Sequence, residues 1–197
     1  MTSPAPTDPR PALQRAIEIA DAVQGTVGPD HLDRPTPCAE FDVRTLRGHL
    51  LTVIRRVAIV LSGGRFDAVP HVTVVADEDY DRQWATGREE LLAVLPGVDL
   101  GRTVIAPFGT VPAGAAIGSY IGEFLVHSWD LVAVTGRVDL LDQELAAAVL
   151  DVARQRIPAE GRENIPFGPV VDVPVDAPAT DRLAAWMGHD PAWAARV

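Results

Sequence analysis

Glu123 and His127 stand four residues apart inside an apolar run, Ile117-Gly118-Ser119-Tyr120-Ile121-Gly122-Glu123-Phe124-Leu125-Val126-His127-Ser128-Trp129-Asp130-Leu131. A helix advances about 100° per residue, which places both on one face with Ala116, Tyr120, Phe124, Leu131 and Val134. That face reads as buried. An ionised carboxylate there is costly unless it is paired, hydrogen-bonded or bound to a cation, and an imidazole one turn away is a natural second ligand for a metal.

A third ligand must come from elsewhere. The chain has five histidines. His31 and His71 fall in loop-like sequence and His189 in the C-terminal Gly188-His189-Asp190-Pro191, all poor places for a ligand. His49 differs: between Asp42 and Val60, the residues Val43, Leu46, Leu50, Val53, Val57 and Val60 recur at helical intervals, and His49 falls between Leu46 and Val53 on that inward stripe. Two core-facing helices therefore offer one His and one Glu-x3-His pair, an N/N/O set that leaves metal positions open. Open positions suit catalysis better than scaffolding. The plainer alternative is a core histidine satisfied by ordinary partners, with Glu123 and His127 as an i,i+4 contact holding helices in register. Two helices each committing a buried position to a metal-competent side chain weigh towards the metal.

Three segments resemble a known family. Pro35-Thr36-Pro37-Cys38-Ala39-Glu40-Phe41-Asp42-Val43-Arg44-Thr45-Leu46-Arg47-Gly48-His49-Leu50 resembles the start of the second helix in metal-binding proteins related to mycothiol-dependent maleylpyruvate isomerase. Glu123-Phe124-Leu125-Val126-His127-Ser128-Trp129-Asp130-Leu131 resembles that family's third-helix signature, and Pro166-Phe167-Gly168-Pro169 a piece of its tail. The likeness runs from Arg10 to Pro191. It implies a mainly α protein, a DinB-like four-helix bundle, with a divalent metal held by His49, Glu123 and His127. Zinc is the metal most implied, with nickel or iron as alternatives. It further implies activation of a small thiol such as mycothiol for S-transfer to an electrophilic substrate or for isomerisation. The isomerase carries a separate C-terminal domain that helps form its active site, and 197 residues leave little room for one after Ile157.

A cation with three protein ligands can lower the pKa of bound water towards about 7 or hold a thiol as thiolate. Three functions follow: a thiol-dependent transferase or isomerase, a hydrolase using bound hydroxide, and a non-catalytic protein whose metal staples the helices. Neutral His49 and His127 would need acceptors for their second nitrogens, for which Asp130 or a backbone carbonyl could serve. Tyr120, one turn before Glu123, is a weaker candidate catalytic residue whose hydroxyl could reach a metal-bound ligand; most aromatics on such stripes only pack. Trp129 falls across the helix from His127 and is expected to pack against another element.

The elements that must position these groups are legible from caps and breakers. Helices are expected over Pro11 to Val27, from an Asp42 N-cap to Gly63-Gly64, and over Asp77 to Leu95 with Gly87 as a weak point. Arg102 to Val111 reads as a small β excursion turning at Pro107 to Gly109, before the Glu123-His127 helix, which ends at Gly136. A helix from Asp142 to Ile157 precedes a Pro-rich tail that wraps the bundle and carries a short helix over Asp181 to Met187. The expected organisation is a single domain over 1–197, with a loose leader at 1–9 and the tail at 158–197.

Composition excludes several classes. With 47% hydrophobic and 22% charged residues the chain is globular. All 17 basic residues are Arg, and 27 acidic residues give a net charge of -10, so nucleic acid and anionic membranes are disfavoured partners. No apolar run approaches the roughly 20 residues that span a bilayer, and the N-terminus lacks a secretory pattern, so a cytoplasmic monomer or homodimer is expected. The one cysteine, Cys38, excludes an intrachain disulfide and reads as a packed small residue.

Overall fold

The computed structural model describes residues 8–193; of the leader expected at 1–9, residues 1–7 lie outside them. Six α-helices form in order: α1 (Arg10–Gln24), α2 (Val43–Leu61), α3 (Asp77–Val94), α4 (Ala113–Thr135), α5 (Gln143–Arg156) and α6 (Ala179–Trp186). An antiparallel hairpin, β1 (Thr103–Ala106) and β2 (Gly109–Pro112), precedes α4 with Ala106 opposite Gly109. The protein is mainly α with a small β excursion, as its sequence implies.

Local chemistry sets the helix ends. Asp42 accepts the Thr45 amide at 2.8 Å and Asp142 the Leu145 amide at 3.0 Å, each satisfying a donor that a helix start leaves free. Gly136 ends α4 at φ 78, a left-handed conformation that glycine adopts without strain. The first helix stops at Gln24, three residues before its expected end, and α6 runs from Ala179 to Trp186, two residues earlier than expected at its start. Among the described residues no helix is long and apolar enough to cross a membrane.

Helices α1 to α4 share one apolar core built from Leu13, Ile17, Leu50, Val57, Leu91, Ile117 and Phe124. Helix α1 packs on α4, α4 on α2, and α2 on α3. Asp21 closes the ring by accepting the Trp84 indole at 2.8 Å and pairing with Arg88. Gly87, expected to weaken α3, instead permits the α2 to α3 contact: a Cβ there would stand 2.9 Å from Ile54 Cγ2. Helix α4 is buried on nearly every side, because α1, α2, α5, α6 and the hairpin all surround it. Its polar groups are therefore sorted by which neighbour they meet, not by one buried face. Trp129 meets α6, its indole donating to Asp181 at 2.8 Å.

The tail is tied back by backbone acceptors. Arg162, 7% exposed, donates to the carbonyls of Pro158, Gly168 and Trp186. Gly188, at φ +94, lies so close to Gly168 that a Cβ would meet the Gly168 Cα at 2.6 Å. The Pro166-Phe167-Gly168-Pro169 segment thus fixes the turn that carries His189.

Candidate metal centre

Helix α2 delivers His49 and α4 delivers Glu123 and His127 to one place, with ligand atoms of all three within 4.8 Å of one another. His49 Nε2 stands 3.2 Å from Glu123 Oε1. Two atoms bound at about 2.05 Å to a tetrahedral cation are separated by roughly 3.3 Å, so this spacing fits a shared ion.

The second nitrogen of each imidazole is already engaged. His49 Nδ1 lies 3.1 Å from the His71 carbonyl, and His127 Nδ1 lies 2.9 Å from Asp130 Oδ2. Both are acceptors, so an Nδ1–H on either ring would be satisfied and would leave that ring's Nε2 facing the centre. That tautomer makes the Glu123 contact informative. A neutral imidazole has one N–H, and His49 faces an acceptor at both nitrogens. His49 is only 4% exposed, and a cation held between Nε2 and Oε1 is one arrangement that would satisfy this contact, a second proton shared between the ring and Glu123 another.

The His71 carbonyl reaches His49 because α2 offers glycine where the chain crosses it. The Thr73 amide donates to the Gly48 carbonyl at 3.1 Å, and a Cβ on Gly48 would sit 2.5 Å from the Thr73 carbonyl oxygen. Thr52 and Thr73 hydroxyls add a 2.7 Å bond across the same crossing. Phe41 covers the centre, stacked on His49 at 5.0 Å and edge-on to His127 at 6.3 Å.

Burial alone would raise the Glu123 carboxyl, but the hydrogen bond with His49 and the charges of His49, His127 and Arg56 outweigh it and hold Glu123 below its ordinary range. Asp130 behaves alike: burial pushes up, and hydrogen bonds from His127 and His189 pull it lower. Access is on the Glu123 side. The Glu123 side chain is 27% exposed against 5% for His49, with the exposed His71 beside it, its ring 4.9 Å from that of His49.

His189 and His71 stand in loop-like sequence that gives no sign of the site, and the fold brings both beside it. His189 Nδ1 donates to Asp130 Oδ1 at 2.7 Å, and Cys38 lies with Asp130 and His189 in a second group of potential ligands. The clue available in sequence was Gly188, whose freedom at positive φ permits the turn, but nothing local says which helix that turn meets. Cys38 is half-buried, and burial with the Asp130 charge pushes its thiol up to about 11, consistent with a packed residue. Tyr120 is fully buried with its hydroxyl lacking a hydrogen-bond partner among the described residues, and burial raises its pKa above the ordinary value.

A sequence model described as the mycothiol maleylpyruvate isomerase N-terminal domain matches residues 13–132, the span that holds His49, Glu123 and His127. The chain belongs to this family. Among the relatives of this chain are two uncharacterised proteins of Mycobacterium tuberculosis, Rv0738 of strain H37Rv and MT0763 of strain CDC 1551, each 32% identical over 185 residues. The alignments cover 92% of this chain and 98% of each relative. No solved structure matches the chain. His189 lies beyond the span matched to the family domain.

Proposed function

We propose that His49, Glu123 and His127 hold a divalent metal, zinc in the first instance, and that the protein uses it to activate a small mycothiol-like thiol for S-transfer or isomerisation. Supporting this most directly is His49, which meets an acceptor at each ring nitrogen although a neutral ring has a single N–H. Membership of a mycothiol-related family supports the thiol. When bound, the metal would supply Lewis acidity that keeps a thiol ionised at neutral pH.

The chain's own residues do the rest. Asp130 and the His71 carbonyl fix which imidazole nitrogen faces the centre. Phe41 keeps water from the His49 side, while the Glu123 side leaves room for thiol and electrophile. Tyr120 keeps its proton and offers an O–H to a substrate oxygen. Residues from 158 onward act as part of the same unit in this reading, because His189 completes the support of Asp130.

Metal analysis of purified protein tests the centre, with His49→Ala and His127→Ala as controls. The expected result is about one equivalent in wild type and near none in the variants; equal content in all three removes the centre. Thiol dependence is tested by turnover of an electrophile with and without mycothiol. A thermal upshift with mycothiol that disappears on chelation is also expected, because only binding to the native state adds stability.

A further inference from the structure

A cavity of about 270 Å3, lined by no residue of the candidate centre, lies between α5, α6 and the tail. Its walls are Arg154 of α5, Arg182 and Trp186 of α6, and the valine-bearing segment 170–175. Arg182 and Trp186 are four residues apart and so share one face of α6. The tail segment is pinned across that helix, where the Val171 amide donates to the Ala185 carbonyl at 3.0 Å.

Its charge sets it apart from the rest of the chain. The Cζ atoms of Arg154 and Arg162 stand 5.5 Å and 5.4 Å from the centre of the Trp186 ring, so two guanidiniums border one indole, and Arg182 adds a third cation. The chain has 27 acidic residues against 17 basic ones, and many arginines elsewhere pair with a carboxylate, as Arg47 does with Asp81 and Arg88 with Asp21. Arg154, Arg162 and Arg182 form no ion pair among the described residues. Asp172, the acidic residue on the cavity wall, is exposed and pairs with none of them. The Nε of Arg182, a terminal nitrogen of Arg162 and the indole nitrogen of Trp186 are all buried donors without an acceptor among the described residues. Gathered cations repel and unmet donors are costly, and one bound anion would relieve both.

We propose that this cavity binds the phosphate group of a small phosphate ester. The forked N–H groups of Arg154 and Arg182 match phosphate oxygens, and three cations against one carboxylate suit a dianion better than a monoanion. Arg162 is tied to the carbonyls of Pro158, Gly168 and Trp186, which makes it a fixed charge and not a mobile arm. Val170, Val171 and Val173 give the apolar body of an ester a surface to lie against, which inorganic phosphate cannot use. The site is independent of the metal-thiol reading.

Isothermal titration calorimetry of the full-length protein with phenyl phosphate and with inorganic phosphate tests the site. Phenyl phosphate is expected to bind about tenfold more tightly than inorganic phosphate, and Arg154→Gln and Arg182→Gln each to weaken it by about tenfold, as the loss of a hydrogen bond to a charged group should. Two controls are expected to change nothing: Arg156→Gln, which removes the same charge from an exposed residue off the cavity wall, and His49→Ala, which removes a candidate metal ligand. No binding of phenyl phosphate by wild type, or equal weakening by Arg156→Gln, overturns the site. Loss of binding in His49→Ala assigns the phosphate to the candidate centre and overturns the cavity. Inorganic phosphate binding as tightly as phenyl phosphate overturns the ester. Because Arg154 is exposed, Arg154→Gln decides the matter if Arg182→Gln fails to fold.

Discussion

Asp130 Oδ1 accepts from His189 at 2.7 Å while its other oxygen accepts from His127 at 2.9 Å, so a tail residue braces a candidate metal ligand through one buried carboxylate. Asp130 is fully buried. Such a charge is tolerated where hydrogen bonds replace its lost hydration, and two imidazole N–H groups supply them here.

This arrangement predicts that Asp130→Ala lowers metal affinity by about 10- to 100-fold, the range found when a ligand loses its supporting acceptor. His189→Ala should weaken metal in the same direction by less, since Asp130 keeps His127. Competition with a chromophoric chelator measures both. Unchanged affinity in Asp130→Ala would show that His127 needs no support.

Gly48→Ala should displace the segment that crosses α2. Its Cβ would meet a backbone oxygen, which cannot rotate away as a side chain can. The expected loss is about 1–3 kcal/mol of stability, as for other overpacking substitutions. Metal affinity should fall too, because the His71 carbonyl moves with Thr73. Chemical denaturation of wild type and variant, each with and without metal, separates the two effects.

In metal-free protein, pH should act from two directions. Glu123, Asp130 and Asp142 are held below their ordinary values in the folded state, the last by the Leu145 amide. Their stabilisation is present above the unfolded range near 4 and is lost as pH falls through the folded values. His189 is opposite. Burial would lower it, but Asp130 raises it above 6.5, so its contribution is present below that value and is lost as pH rises through the raised one. Thermal melts after chelation should show both flanks, and Asp130→Asn should flatten the alkaline one.

Cys38 should resist alkylation. With its thiol pushed up to about 11 by burial and the Asp130 charge, little thiolate exists at pH 7. Reaction with iodoacetamide is expected to be slower than for free cysteine and to accelerate steadily towards pH 10. Fast modification at neutral pH would contradict the packed environment.

What the sequence determined by itself was everything carried by short-range periodicity and caps. The Asp42 and Asp142 N-caps, the Gly136 stop, the hairpin turn before Gly109 and the inward stripe of His49 all depend on neighbours within a few residues. For the same reason Glu123 and His127 could be paired on one helix before any fold was known. Tertiary structure alone decided which distant backbone and side chains complete those groups. His71 contributes a carbonyl, which has no residue-type signal. His189 depends on the Gly168 to Gly188 contact, and Arg56 meets the Pro70 carbonyl of a loop that returns to α2. Gly87 shows the same division: in sequence a helix weakener, in the packed protein the point where two helices approach. Local spacing names the residues able to do chemistry, and long-range packing assigns their partners, because contacts between segments far apart in the chain leave no periodic trace in either one.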